Sequence, residues 1–207
     1  MGRTSDAKER ILAAAHELVE VRGYSALGVA EICKAAGVPK GSFYYFFESK
    51  EALALAVIAE EWAGQRKGWA EALEGPGAPL AKLRKLFEGT AAAQRQSQAT
   101  CGTVSGCLFG NLSLELSNRT EPIRLALQEV FATQARMVQA VVEDAVARGD
   151  ALVADPAEAA RAVVAQLEGQ VLLAKLYNDT SHLDAMWTNC LALVGAGVAE
   201  AAAAMPD

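Results

Sequence analysis

Apolar residues recur every three or four positions along most of the chain, which is the period of an amphipathic helix. In the first fifty residues this pattern predicts three short helices: Asp6 to Arg22, a segment around Ile32 and Cys33, and Lys40 to Phe47. Gly37-Val38 is predicted to form the turn between the second and third, because glycine tolerates the left-handed conformation that often ends a helix.

Longer helices are predicted in the rest of the chain. Ser49 is expected to cap a fourth helix that ends near Glu74, since a serine oxygen can accept an N–H of the first turn. The clearest break is the glycine- and proline-rich segment 75–79. Beyond it we predict a helix that begins at Leu80 and frays from Gln94, and then a helix that is capped by Ser105 and ends at Ser117. Three further helices are predicted near residues 120–148, 156–177 and 180–205.

This pattern predicts an all-α protein. Apolar residues make up 52% of the sequence, and clusters of β-branched residues bounded by turns are scarce, which favours packed helices over sheets. We expect an amino-terminal three-helix helix-turn-helix domain in residues 1–50 and a larger carboxy-terminal helical domain in residues 51–207. The fourth helix, from about residue 49, would link them.

The charge is distributed unevenly. The net charge of −6 argues at first against nucleic acid, but residues 1–50 hold seven Lys/Arg against six Asp/Glu, and residues 51–207 hold twelve against nineteen. DNA binding requires positive potential only where the phosphates lie. The amino-terminal domain is therefore the candidate DNA-binding part of the chain.

The third predicted helix carries the chemistry of a DNA-recognition helix. Its sequence, within VPKGSFYYFFESK, combines two lysines with hydroxyl groups and a glycine that allows close backbone approach. Lysines and hydroxyls bind phosphate oxygens, and hydroxyls also reach base edges. The candidate DNA contacts are Lys40, Gly41, Ser42, Tyr44, Tyr45 and Lys50. Phe43, Phe46 and Phe47 are interpreted as core residues.

The segment from Gly23-Tyr24 through Ala35-Ala36-Gly37-Val38 to Ser49-Lys50-Glu51-Ala52-Leu53 resembles the DNA-binding signature of the TetR family of repressors. The resemblance implies a homodimer whose third helix enters the major groove of a double-stranded operator. It also implies a carboxy-terminal domain for ligand binding and dimerisation. Two positions depart from the pattern: Leu27-Gly28 replaces a Thr-Ser pair, so that glycine caps the second helix, and Phe46 replaces a histidine.

A second resemblance lies in GCLFGNLSLE, residues 106–115, and EGQVLLAKL, residues 168–176. These segments are similar to a branch of the family that responds to reactive electrophiles or to small carbonyl and carboxylate compounds. Cys107, Asn111 and Glu115 recur every four residues and would share one helix face, so they are predicted to line an effector pocket. The alternative is a solvent-facing polar stripe beside a packed Cys107.

Cys107 is the candidate sensor thiol. A Ser105 cap would place it in the first helical turn, where the helix dipole favours a thiolate. Lys175 is a candidate cationic neighbour, although helix periodicity does not decide whether it pairs inside a pocket or extends to solvent. Cys101 is a candidate resolving thiol after oxidation. In the alternative interpretation Cys107 is a packing residue beside a pocket for an unreactive ligand.

A dimer interface is expected on the last two helices, which would pair with their symmetry mates in a four-helix arrangement. The predicted apolar stripes are Ala160, Val163, Val164, Leu167, Val171, Met186, Trp187, Cys190, Leu191 and Val194.

No cofactor, metal or membrane partner is expected. The four cysteines include no C-x-x-C pair and lie far in sequence from His16 and His182, so the spacing of zinc ligands is absent. With neither a long apolar run nor a signal peptide, the chain is expected to be cytoplasmic. An all-α enzyme using Cys107 or Glu115, an activator, and an architectural DNA binder without an effector are the alternatives.

Overall fold

The computed structural model describes residues 3–197, and in that range the regular elements are helices. They are α1 (Arg3–Arg22), α2 (Val29–Ala35), α3 (Lys40–Phe46), α4 (Lys50–Leu73), α5 (Pro79–Cys101), α6 (Leu108–Leu116), α7 (Glu121–Arg148), α8 (Pro156–Tyr177) and α9 (Met186–Leu193). A 3-10 turn, Thr180–Leu183, precedes α9. The predicted all-α class is confirmed.

Local signals explain several helix boundaries. Ser49 Oγ accepts the Ala52 N–H at 3.0 Å, and Asp155 caps α8 by accepting the N–H groups of Ala157 and Glu158 at 2.9 and 3.1 Å. Gly28 begins α2 in an extended conformation without a side-chain hydrogen bond. A side-chain acceptor at the cap satisfies N–H groups that have no partner within the helix.

Contacts divide the chain into two compact units. Among the described residues, unit one comprises residues 3–64 and 108–129, and unit two comprises residues 65–107 and 130–197. The predicted helix-turn-helix segment lies in unit one, together with the first part of α4 and with α6. Helix α6 belongs to unit one although it lies far along the chain from α1 to α3.

Each unit has its own apolar core. Unit one buries residues of α1, α2, α3, α4 and α6, including Ile11, Ile32, Phe43, Leu53 and Phe109. Unit two buries residues of α5, α7, α8 and α9 in a continuous cluster that includes Leu83, Val138, Ala160, Val163, Ala174 and Cys190. Close packing of such side chains is the main contribution to the stability of each unit.

Three predictions of helix ends were wrong. Helix α5 continues to Cys101 instead of fraying from Gln94, and α6 begins at Leu108 instead of after a Ser105 cap. The last predicted helix is divided, since Gly195 adopts φ +64° and a β-carbon there would lie 2.2 Å from the Leu152 carbonyl oxygen. The predicted continuation from 198 to 205 lies outside the described residues.

The apolar stripe predicted as the dimer interface is largely used inside the chain. Ala160, Val163, Val164, Leu167, Val171, Met186, Cys190 and Val194 are buried in unit two. Trp187 and Leu191 are partly buried against the same cluster. The prediction that this stripe is available to a second chain was therefore wrong. Among the described residues, no helix is long and apolar enough to cross a membrane.

Candidate DNA-binding and sensing sites

Helix α3 follows a tight turn after α2. Gly37 has φ +63°, and the Val38 N–H donates to the Cys33 carbonyl oxygen at 3.0 Å. Phe43 and Phe47 anchor α3 in the core of unit one, at 0% and 4% exposure, with ring centroids 5.7 Å apart. Burial of these rings fixes which face of the short helix is presented to solvent.

The solvent face of α3 carries the predicted contact residues. Lys40 and Gly41 are exposed, Tyr44 and Tyr45 are 53% and 74% exposed, and Ser42 is half-buried. The Tyr44 ring packs edge-on against Phe43, with centroids 5.2 Å apart. The core prediction is confirmed for Phe43 and Phe47, while Phe46 is half-buried with its ring 4.8 Å from that of Tyr45.

Lys50 is held in place at the start of α4. Its Nζ donates to the Tyr24 carbonyl oxygen at 2.6 Å and lies 3.9 Å from the centroid of the Tyr24 ring. Burial lowers the pKa of the Lys50 ammonium, and the nearby Glu115 carboxylate opposes that shift. An ammonium has three N–H donors, so the carbonyl oxygen leaves two for other acceptors.

In unit two, the segment before Cys107 is bound to helix α5. Gln94 Oε1 accepts the Gly106 N–H at 3.0 Å, and Gln94 Nε2 donates to the Gly106 carbonyl oxygen at 3.1 Å. Ser97 Oγ donates to the Thr103 carbonyl oxygen at 3.0 Å and also hydrogen-bonds with Ser105 Oγ. The Ser105 hydroxyl is therefore engaged with α5, and Cys107 directly precedes the first residue of α6.

The Cys107 thiol is hydrogen-bonded to the carboxyl group of Glu168 on α8. Burial raises the pKa of Glu168, and the hydrogen bond from Cys107 partly opposes that rise. The other thiols differ: Cys33 and Cys190 are buried, and burial raises the pKa of Cys190 to about 12, whereas Cys101 is exposed. Cys107 is thus a half-buried thiol beside a carboxyl group that is a stronger base than usual.

Lys175 packs along the same segment. A β-carbon at Gly106, which has φ +81°, would lie 2.6 Å from Lys175 Cδ. Glycine at position 106 therefore allows the lysine stem to cover the backbone next to Cys107. The structure brings Cys107, Glu168 and the Lys175 stem to one region of unit two. Glu168 belongs to the motif identified in the sequence but was not predicted as a site residue.

The remaining two predicted sensing residues lie in unit one. Asn111 and Glu115 are both half-buried on α6. Glu115 does not form one wall with Cys107, because its carboxylate accepts the backbone N–H groups of Tyr24 and Ser25 at 2.9 and 2.5 Å. The prediction that the three residues share one helix face was wrong, because Cys107 precedes the first residue of α6.

Asn178 is a structural residue that the sequence pattern did not reveal. It ends α8 with φ 49° and ψ 41°. Its Oδ1 accepts the Val104 N–H at 2.9 Å, and its Nδ2 donates to the Gly102 carbonyl oxygen at 3.0 Å. Asparagine at a helix end is a weak sequence signal for a left-handed cap, and nothing local indicates its partners about 75 residues earlier.

Comparisons with known proteins match this architecture. The family of bacterial regulatory proteins, tetR family, matches residues 11–57, and the tetracyclin repressor-like C-terminal domain matches residues 79–190. The chain is 38% identical to the transcriptional regulator AcuR of Cereibacter sphaeroides, covering 82% of this chain and 77% of AcuR. It is 34% identical to the transcriptional repressor NemR of Escherichia coli, covering 70% of this chain and 69% of NemR.

The crystal structure of the reduced form of E. coli NemR superposes with a TM-score of 0.80 at 26% identity, covering 92% of this chain and 98% of that one. The chain therefore belongs to the TetR family of DNA-binding transcriptional regulators. The resemblance carried by residues 106–115 and 168–176 is confirmed by the relationship to NemR and AcuR.

Proposed function

We propose that this regulator is a homodimeric repressor that binds a palindromic operator through α3 and leaves it when a small effector reacts with or binds to unit two. The observation that carries the proposal is the face of α3, where Lys40, Tyr44 and Tyr45 are exposed above two buried phenylalanines. NemR, a relative named as a repressor, supports repression over activation.

The proposed DNA contacts divide by chemistry. Lys40 and Lys50 bind phosphates, and Gly41 lets the backbone of α3 approach the DNA closely. Ser42, Tyr44 and Tyr45 donate to phosphate oxygens or to base edges in the major groove. Lys50 can bind a phosphate without leaving Tyr24, since one ammonium serves several acceptors.

Lys40→Ala is expected to weaken operator binding by about tenfold without unfolding the protein, because the side chain is exposed. Loss of one phosphate contact should also reduce the slope of log affinity against log salt by about one unit per protomer. Both quantities are measured by fluorescence anisotropy on DNA fragments selected by the purified protein. Lys67→Ala, an exposed lysine on α4, is the control; an unchanged slope and affinity for Lys40→Ala would remove Lys40 from the contacts.

The proposed dimer interface lies on the solvent face of α8. Leu172, Leu173 and Leu176 are 47%, 42% and 70% exposed, and Tyr177 next to them is 63% exposed. A run of large apolar side chains on one helix is typical of a surface that a partner covers. A second copy of the chain fits this surface, because a palindromic operator requires two symmetry-related α3 helices.

The proposed sensing chemistry is conjugate addition of the Cys107 thiol to an unsaturated carbonyl compound. The sulfur forms a bond to the β-carbon, the thiol proton passes to Glu168, and a proton is returned to the α-carbon, so that no group leaves. The raised pKa of Glu168 makes its carboxylate a better proton acceptor. The NemR crystal structure is that of a reduced form, which supports a response that depends on thiol chemistry.

N-Ethylmaleimide is expected to release wild-type protein from the operator, while Cys107→Ser stays bound at the same reagent concentration. The maleimide bonds to the sulfur and occupies the space beside Glu168 and Gly106. Cys101→Ser is the control and should respond like the wild type, because Cys101 is an exposed thiol outside this region. Equal release of wild type and Cys107→Ser, or of neither, contradicts a thiol sensor.

A non-covalent effector site is the second form of this proposal. Gln134, at 1% exposure, lies within the otherwise apolar buried face of α7, and its Nε2 donates to Gln65 Oε1 at 3.1 Å. Buried amides are costly unless they are hydrogen-bonded, so a polar pair in this core favours recognition of a small carbonyl or carboxylate ligand there. Lys175, also in unit two, is the candidate cationic residue of this site.

A further inference from the structure

The turn between α1 and α2 is bound by a single carboxylate from α6. Glu115 Oε2 accepts the Tyr24 N–H at 2.9 Å, and Glu115 Oε1 accepts the Ser25 N–H at 2.5 Å. Hydrogen bonds to an ionised acceptor are roughly twice as strong as neutral ones. Two of them on adjacent N–H groups fix both the position and the orientation of this turn.

Charged neighbours reinforce the contact. Arg119 Nη1, one turn further along the chain, donates to Ser25 Oγ at 3.2 Å. Burial acts to raise the pKa of Glu115, but the hydrogen bonds from Ser25 and Tyr24, together with the Arg119 charge, lower it overall. Glu115 is therefore held in its ionised form by the groups that it binds.

The same turn positions Lys50. The Tyr24 N–H donates to the Glu115 carboxylate, and the Lys50 ammonium donates to the Tyr24 carbonyl oxygen and lies over its ring. Glu115 and Lys50 thus contact opposite ends of one residue. A displacement of α6 would move Tyr24 and, with it, the acceptor that holds the lysine.

The apolar side chains beside this contact leave little free space. Leu112 of α6 and residues of α1, α2 and α4 that include Val19, Ile32 and Leu53 border a gap of only about 10 Å³. The Glu115 carboxylate therefore adds a directional polar contact to an apolar surface of α6 that is already packed within unit one.

We propose that Glu115 is a positioning residue for operator binding: it holds the α1–α2 turn and, through Tyr24, the Lys50 ammonium in the arrangement that binds DNA. The inference rests on the proposed operator binding.

The test compares full-length wild type, Glu115→Gln and Glu121→Gln on the same selected operator. Glutamine keeps the shape of Glu115 but loses the charge and one acceptor oxygen, so affinity is expected to fall at least about tenfold. The salt slope should also flatten, by up to about one unit per protomer, because Lys50 no longer holds its phosphate. Glu121→Gln removes an exposed carboxylate of the same unit and should change neither quantity.

Two further measurements separate positioning from general destabilisation. Hydrogen exchange at the Tyr24 and Ser25 amides should accelerate in Glu115→Gln while exchange in α1 and α3 is unchanged. A double-mutant cycle compares the Lys50→Met variant with the variant that carries both Lys50→Met and Glu115→Gln. The two should flatten the salt slope by the same amount, because either substitution removes the same phosphate contact. A loss of affinity with an unchanged salt slope means that Glu115 is only a stabilising residue, and overturns the proposal.

The outcomes also distinguish the proposed operator binding from the proposed positioning role of Glu115. If the wild type binds no DNA fragment, operator binding fails, and the positioning role fails with it. If the wild type binds and Glu115→Gln binds equally well with the same slope, only the positioning role is overturned. If Glu115→Gln does not fold, Arg119→Met, at an exposed position, provides the second variant and should flatten the salt slope in the same direction.

Discussion

Replacing both Leu172 and Leu176 by aspartate is expected to convert the protein to a monomer and to reduce operator affinity by about a hundredfold or more. Burying two new carboxylates in an apolar interface is strongly unfavourable. A monomer binds one half-site and loses the avidity of two linked contacts, which is typically a factor of about 10² to 10⁴. Sedimentation velocity gives the oligomeric state, and anisotropy gives the affinity.

The matched control carries the same two replacements at exposed leucines elsewhere, Leu125 and Leu152. It should remain dimeric and bind normally. Because Leu172 and Leu176 are exposed in the single chain, the monomer should keep its helical content. A dimer that persists after the α8 replacements would place the interface on another surface.

Asn178→Ala is expected to lower the free energy of unfolding by about 2–4 kcal/mol. The left-handed conformation costs alanine about 1–2 kcal/mol, and each lost hydrogen bond to Gly102 or Val104 contributes about 1 kcal/mol. Urea denaturation followed by circular dichroism, at fixed protein concentration, measures the change.

Asn178→Gly separates the two contributions. Glycine adopts the left-handed conformation without strain, so this variant should lose only the hydrogen bonds, about 1–2 kcal/mol. It should also react faster with maleimide at Cys107, because the segment 102–107 is less firmly held. If both variants are as stable as the wild type, Asn178 does not hold this segment.

The sequence predicted the elements whose signals are local. Apolar spacing located α1 to α4, and the cap at Ser49 lies where its side chain suggested. In these cases the residues that decide a boundary are within four positions of it. The recognition helix was predicted for the same reason, since its aromatic and basic residues are contiguous.

Features that depend on distant partners could not be predicted in this way. Glu115 binds residues 90 and 91 positions earlier, and helical spacing alone assigned it to a pocket. Ser105 has the chemistry of a cap, but its hydroxyl is engaged with Ser97 on α5. The last helix is divided at Gly195 because the Leu152 carbonyl oxygen occupies the space of a side chain.

The stripe predicted as the dimer interface is buried inside the chain for a different physical reason. Helix α8 is apolar on most of its circumference, with Val163 and Val171 buried and Leu172 and Leu176 exposed. Periodicity identifies apolar faces but does not say which one the chain itself covers. That choice depends on the packing of α5, α7 and α9, which the sequence of α8 does not contain.

The discontinuous composition of unit one bears on how members of this family can exchange parts. A hybrid joined after residue 50 would take Tyr24 and Ser25 from one parent and Glu115 from another, so the bond between them would survive only by coincidence. A hybrid that transfers residues 1–64 together with 108–129 keeps the contact intact. Recombination that swaps operator preference between paralogues is therefore expected to move two separated stretches of coding sequence together, or to be followed by compensating changes in α6.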